Sequence, residues 1–160
     1  MRRHLALCAL LLLALPGTAS ASCSFRSIES LPFAYDPIGG AAATAAATMT
    51  VTCSGSGYGG GYGGGPTDVT VSLDAGTHAG PSATPWRKLA NPLNGQTLNY
   101  NVYVDPAHAT VWGDGTSGTA TQSHAQTFGT FSLTLYGLIP AGQSVAAGSY
   151  SDTITATLTF

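Results

Sequence analysis

The side chains best placed to do chemistry beyond the N-terminal leader are Cys23, Cys53, His78, His108, His124, Asp105 and Asp114. A catalytic centre needs a nucleophile, a base and an orienting group, or a cluster of metal ligands. The histidines stand singly among loop residues, and no His-x-His, HExxH or GxSxG pattern occurs. They read as exposed surface histidines. The rival reading gathers them in space around copper or zinc, because a sandwich can bring distant loops together. Asp105 precedes Pro106 and Asp114 precedes Gly115, positions where Asp caps its own turn. A glycosidase pair needs two acids across one groove at a set separation, and nothing in the spacing supplies it. The expectation is no enzyme, with no catalytic residue, no metal site and no cofactor.

The cysteines speak to compartment. Arg2 and Arg3 precede an apolar run from Leu5 to Leu15, then Pro16, Gly17 and the small residues Ala19-Ser20-Ala21, which is the pattern of a secretory signal peptide over residues 1–21. The apolar run is too short to span a bilayer. Cleavage removes Cys8 and leaves Cys23 and Cys53 in an oxidising compartment, where they are expected to pair. The closed loop of 31 residues, Cys23 to Cys53 inclusive, corresponds to roughly 3 to 4 kcal/mol by the chain-entropy relation. The mature chain from Ser22 is expected to be one exported domain, residues 22–160.

Without the leader, three basic residues (Arg26, Arg87, Lys88) face seven acidic ones, a net charge of −4. That leaves no electrostatic footprint for nucleic acid. The polar surface must be made from Thr, Ser, Asn and Gly, a composition that suits strands and turns.

The elements that must carry these residues alternate with a period of two. Cys23 to Ile28 reads as a short first strand, and Pro32 to Pro37 as an edge strand or extended segment with Phe33 and Tyr35 on one side. Gly39 to Ala47 is alanine-rich, yet its glycines and missing charged partners favour a loop or a strand approach over a helix. Met49, Val51 and Cys53 point inward between Thr48, Thr50 and Thr52; Val69, Val71 and Leu73 repeat the pattern. These two runs are expected to pair as a hairpin across the glycine-rich stretch Ser54–Pro66, although a crossing between sheets also fits. Leu98 to Val104, Val111-Trp112 and Phe131 to Leu135 supply further strands. From Tyr150 the positions Ile154, Ala156, Leu158 and Phe160 are apolar while threonines take the alternate places. Asp152 falls on the apolar side, at the start of the run, where water is expected to reach it. Phe160 lies inside the pattern, so the far edge of this strand is expected to need cover from another chain. The fold class is all-β, a sandwich.

Tyr58 and Tyr62 sit on the glycine scaffold, where aromatic rings can stack on sugars or apolar surfaces. A tolerated insertion at a loop tip is the favoured reading of that stretch.

Laid out in order, the residues resemble the spore coat protein U domain family, whose members include secreted pilin subunits of archaic chaperone-usher pili. The likeness rests on Cys23 and Cys53 flanking Phe33 and Tyr35, on Arg87 ahead of Leu98-Asn99-Tyr100-Asn101-Val102-Tyr103, and on Trp112-Gly113-Asp114-Gly115. It continues through Tyr136-Gly137, Ile139-Pro140, Gly148, Tyr150 and Asp152. The resemblance implies an immunoglobulin-like β-sandwich lacking its final strand, filled first by a periplasmic chaperone and then, after an usher, by another pilin subunit. It further implies that Tyr150, Ile154, Ala156, Leu158 and Phe160 lie beside the donated strand. The family implies a path through the periplasm to the cell surface. Only Ser22 lies between the expected cleavage point and Cys23, where polymerising pilins carry a donor extension; a tip or minor subunit that accepts but does not donate is therefore expected. The alternative is a self-contained secreted module in which Tyr58, Tyr62 or Trp112 contacts carbohydrate, or a host or abiotic surface.

Overall fold

A computed structural model describes residues 20–56, 68–80, 82–125 and 129–160. Residues 1–19 of the expected leader 1–21 lie outside them, as do Tyr58 and Tyr62. The strands are β1 (Ser20–Ile28), β2 (Ala43–Ser56), β3 (Val69–Leu73), β4 (Arg87–Ala90), β5 (Thr97–Tyr103), β6 (Gln122–His124), β7 (Gly129–Ile139) and β8 (Ala156–Thr159), with no helix among the described residues. They form two antiparallel sheets, ordered β1-β2-β7-β5-β4 and β6-β3-β8.

The period-two pattern decides which face is which. Met49, Val51, Val69, Val71 and Val102 are fully buried, and Phe131, Leu133 and Leu135 join them from β7. The intervening side chains of β1, β2 and β7 point outward as hydroxyls that meet across strands: Ser22 with Ser54 at 3.1 Å, Thr52 with Thr130 at 3.0 Å, Thr50 with Ser132 at 3.3 Å. Cross-strand pairs of this kind add to the ladder's own hydrogen bonds. Cys23 and Cys53 face each other in register and are joined by a disulfide.

The expected hairpin between the Met49–Cys53 and Val69–Leu73 runs does not form. β2 pairs with β1 on one edge and with β7 on the other, from Ala43 opposite Ile139 to Cys53 opposite Gly129. Both of its edges are therefore used, and β3 pairs instead with β6 and β8 in the other sheet. β2 and β3 thus lie in different sheets, the arrangement the spacing also fitted, and β2 extends as far as Ser56. The alanine-rich approach also belongs to β2 from Ala43 onward, with small side chains suiting the close contact with β7. Of the expected Pro32–Pro37 segment, residues 32–36 are extended without being a ladder strand and Pro37 begins a turn; Phe33 and Tyr35, with Leu31 just before them, are half-buried. Gly137 of β7 permits the approach of that segment, since a Cβ there would overlap the Phe33 ring.

Candidate functional site

Between the segment from Ile28 to Phe33 and the segment from Tyr150 to Ala156 runs a groove of about 470 Å³. Its floor is the core itself: Met49, Leu73, Leu89, Tyr100 and Leu135. A smaller recess of about 140 Å³ continues it past Leu31, Phe33 and Tyr150 toward Leu98, Ile139 and Val145. Ile28 on the rim is half exposed, at 51%. The closed end is tied by Tyr35, whose hydroxyl donates to the Gln143 carbonyl at 3.1 Å and accepts from the Gln143 amide at 2.8 Å. Gln143 in turn bonds both backbone groups of Asn99.

The bordering strand β8 pairs with β3 alone among the described residues. Its other edge faces the groove. The terminal alternation is visible as half-buried even positions and exposed odd ones from Ser151 to Thr159. Tyr150, Ile154 and Ala156 line the groove, Leu158 packs beside the core, and Phe160 is 51% exposed. An apolar trough beside an unpaired strand edge offers two things at once: main-chain hydrogen bonds, and pockets for alternate side chains.

There are two polar clusters beside the core, of which only the second touches the trough. Arg87 is 0% exposed. Its guanidinium donates to Asn101 Oδ1 at 2.8 Å, to the Trp112 carbonyl at 2.8 Å, and to the Asp74 carbonyl at 3.0 and 2.6 Å. Asn101 passes its own hydrogens to the carbonyls of Ala83 and Pro85. Burial pulls the guanidinium below its ordinary range, and the Asp74 and Asp152 carboxylates offset only part of that. Trp112, one of the surface-contact candidates, is 0% exposed and donates from Nε1 to the Val71 carbonyl at 3.0 Å. It is a core residue: the Gly113–Gly115 turn folds the ring under β3 instead of presenting it.

The second cluster centres on Asp152, whose side chain is 1% exposed, against the expectation that water reaches it. Burial pushes its carboxyl up, yet hydrogen bonds from Thr77, Tyr100 and His78 outweigh this and hold it below the usual carboxylate range. Burial and that same carboxylate push the Tyr100 phenol well above its usual range. Thr77 Oγ1, His78 Nδ1 and Asp152 Oδ1 lie within 2.7 to 3.1 Å of one another. A hydroxyl, an imidazole and a carboxylate suggest a triad, but a triad uses opposite ring nitrogens for acid and nucleophile. Here both meet the same nitrogen, and the hydroxyl donates to the carboxylate directly. The arrangement is a structural clasp.

The remaining candidates stay apart. His108 lies edge-on to Tyr103, and His124 stacks on Phe131 with ring centroids 4.2 Å apart. Among the described residues no three His, Cys, Asp or Glu side chains gather in a metal-binding group. Asp105 accepts from the Ala109 and Thr110 amides, and Asp114 from the Thr116 amide and hydroxyl. These bonds hold both carboxyls below their usual range, as turn caps do. Sequence reasoning missed the opposite wall of the groove, Ile28 and Leu31, and the clasp itself. Phe33 and Tyr35 were visible as a pair on one side of an extended segment; what they face was not.

The sequence profile of the Spore Coat Protein U domain matches residues 9–157. Protein U of Myxococcus xanthus is 35% identical over 79 residues, which cover 49% of this chain and 43% of that protein, so the match spans less than half of the curated relative. Among solved structures, the chain resembles the chaperone-tip adhesion subunit pre-assembly complex of archaic chaperone-usher Csu pili from Acinetobacter baumannii. There the TM-score is 0.58 at 17% identity, over 88% of this chain and 40% of that one. The P pilus rod subunit PapA aligns with a TM-score of 0.51 at 18% identity, over 86% of this chain and 97% of PapA. The fold is that of pilin subunits, an immunoglobulin-like sandwich.

Proposed function

Because the chain belongs to the Spore Coat Protein U domain family, we propose that it is a structural subunit of a secreted chaperone-usher pilus or coat assembly, completed by a strand from another molecule. The observation that carries this reading is the apolar groove bordered by the unpaired edge of β8. An incoming strand would hydrogen-bond to that edge and set alternate side chains against Leu31, Leu89, Leu135, Tyr150 and Ile154. Each apolar side chain buried there is worth about 1.5 to 3 kcal/mol before ordering costs. The partners are, by this reading, a periplasmic chaperone, an usher and other pilin subunits, and the route is export to the periplasm and then the cell surface. From Ser22 of the expected mature chain to Ile28, β1 is paired along β2, which supports an accepting rather than a donating role, as in a tip or minor subunit.

The reading is tested by co-expressing the full chain with a chaperone of this pathway and comparing it with the chain alone. A stoichiometric complex, and a lone chain that associates or melts at low temperature, are expected. A stable monomer that leaves the chaperone unbound would sink the reading.

A further inference from the structure

The terminal segment changes sheets on its way to β8. At Ser151 it exchanges backbone hydrogen bonds with Ala90 of β4, at 2.8 and 3.0 Å, and from Ala156 it pairs with β3 in the other sheet. Residues 152–155 make the crossing and belong to no ladder. They are held from the loop that follows β3. The Asp74 amide donates to the Thr155 carbonyl at 3.0 Å, the Thr155 amide to Asp74 Oδ1 at 2.9 Å, and the Thr77 amide to the Thr153 carbonyl at 3.1 Å. The Asp152 carboxylate then gathers the Thr77 amide at 3.0 Å, the Thr77 hydroxyl at 2.7 Å, His78 Nδ1 at 3.0 Å and the Tyr100 hydroxyl at 2.8 Å. Gly76, at φ 83°, lets the loop come this close, since a Cβ there would overlap Asp152 Oδ2.

One carboxylate thus joins the loop after β3, a core tyrosine of β5 and the wall of the groove, to which Asp152 itself belongs. We propose that Asp152 is a positioning residue for strand acceptance, fastening residues 151–155 so that the groove wall and the free edge of β8 stand formed before a donor arrives. This rests on the acceptor reading above. Tyr150 and Ile154, on either side of Asp152, take their orientation from that fastening. Without it the crossing keeps only its backbone bonds and the Asp74 carboxylate's bond from the Thr155 amide, all to an exposed loop, and an incoming strand binds solely the fraction of molecules whose edge is in place. Apparent affinity and association rate fall with that fraction.

The test follows association of a fluorescent synthetic peptide of alternating isoleucine and threonine with the full chain. It compares the wild type, Asp152→Asn and Thr77→Val, with hydrogen exchange of the amides of residues 151–159 measured without peptide. Asp152→Asn is expected to slow association about tenfold and Thr77→Val about threefold, with dissociation little changed. Exchange should quicken at residues 152–155 while β2 and β7 keep their protection. Should Asp152→Asn fail to fold, Thr77→Val, at an exposed position, decides the matter alone. Variants that match the wild type in association and exchange, while the wild type takes up peptide, overturn the role of Asp152. A wild type that takes up no peptide removes the acceptor reading and this proposal with it.

Discussion

The sandwich is finished differently along its two seams. On one, the chain stitches its own sheets together: the Trp112 amide donates to the Val102 carbonyl of β5 at 2.8 Å, and the Leu73 amide of β3 donates to the Gly113 carbonyl at 3.0 Å. Trp112 fills the space between and Arg87 satisfies the carbonyls around it. On the other, β8 and the segment after β1 stand on opposite banks of a trough, where Leu31, Tyr150, Ile154 and Ala156 are only half buried. The same alternating pattern produced both. The difference lies in whether a later segment of this chain crosses the gap, and at the trough none does among the described residues.

Truncations on each seam put that contrast at risk. Trp112→Ala should cost about 3 to 5 kcal/mol, because a fully buried indole leaves a cavity and an unpaired Val71 carbonyl; thermal or denaturant unfolding reads it directly. A loss below about 1 kcal/mol would mean that the stitched seam is no tighter than the open one. Ile154→Ala is expected to be mild in the isolated chain, about 1 kcal/mol, since the side chain is half exposed already. With donor peptide in saturating amount its cost should grow, seen as about a tenfold loss of affinity in titration. Equal costs with and without peptide would erase the distinction.

The smallest effect concerns acid. The carboxyls of Asp74 and Asp152 lie below the ordinary value of 3.8, so their contribution is complete above that pH. It is lost as pH falls through the lowered folded values. Melting temperature should therefore hold from neutrality to about pH 4 and drop beneath it. Asp152→Asn should flatten that drop, and an unaltered acid limb would assign it to other groups.

Much of the architecture was legible from residue order. The alternation at Thr48–Cys53, Val69–Leu73, Leu98–Val104 and Phe131–Leu135 marked the strands, and two cysteines in a chain read as exported marked the disulfide. Partnership was not legible: β2 had one free choice fewer than its turn-like glycine run suggested, because β7 offered it a full-length neighbour from about eighty residues away. Trp112 read as part of a short strand before a turn and, in the alternative reading, as a contact residue, and its burial depends on where the turn is folded. Asp152 looked like a carboxylate near water because its partners, Thr77, His78 and Tyr100, are 52 to 75 residues away in the chain. Spacing carries the facing of a side chain within its own strand, whereas a groove or a clasp is assembled from segments whose meeting only topology decides.

The paired hydroxyls on the outward face of β1, β2 and β7 have a bearing on the world outside the molecule. Serines and threonines hold water by bonds that neither protonation nor dissolved ions alter, whereas a charged face is screened within about 8 Å at physiological salt. That wall should keep the same wetting in brackish, fresh or mildly sour surroundings, and neighbouring copies could lie against it without repelling one another.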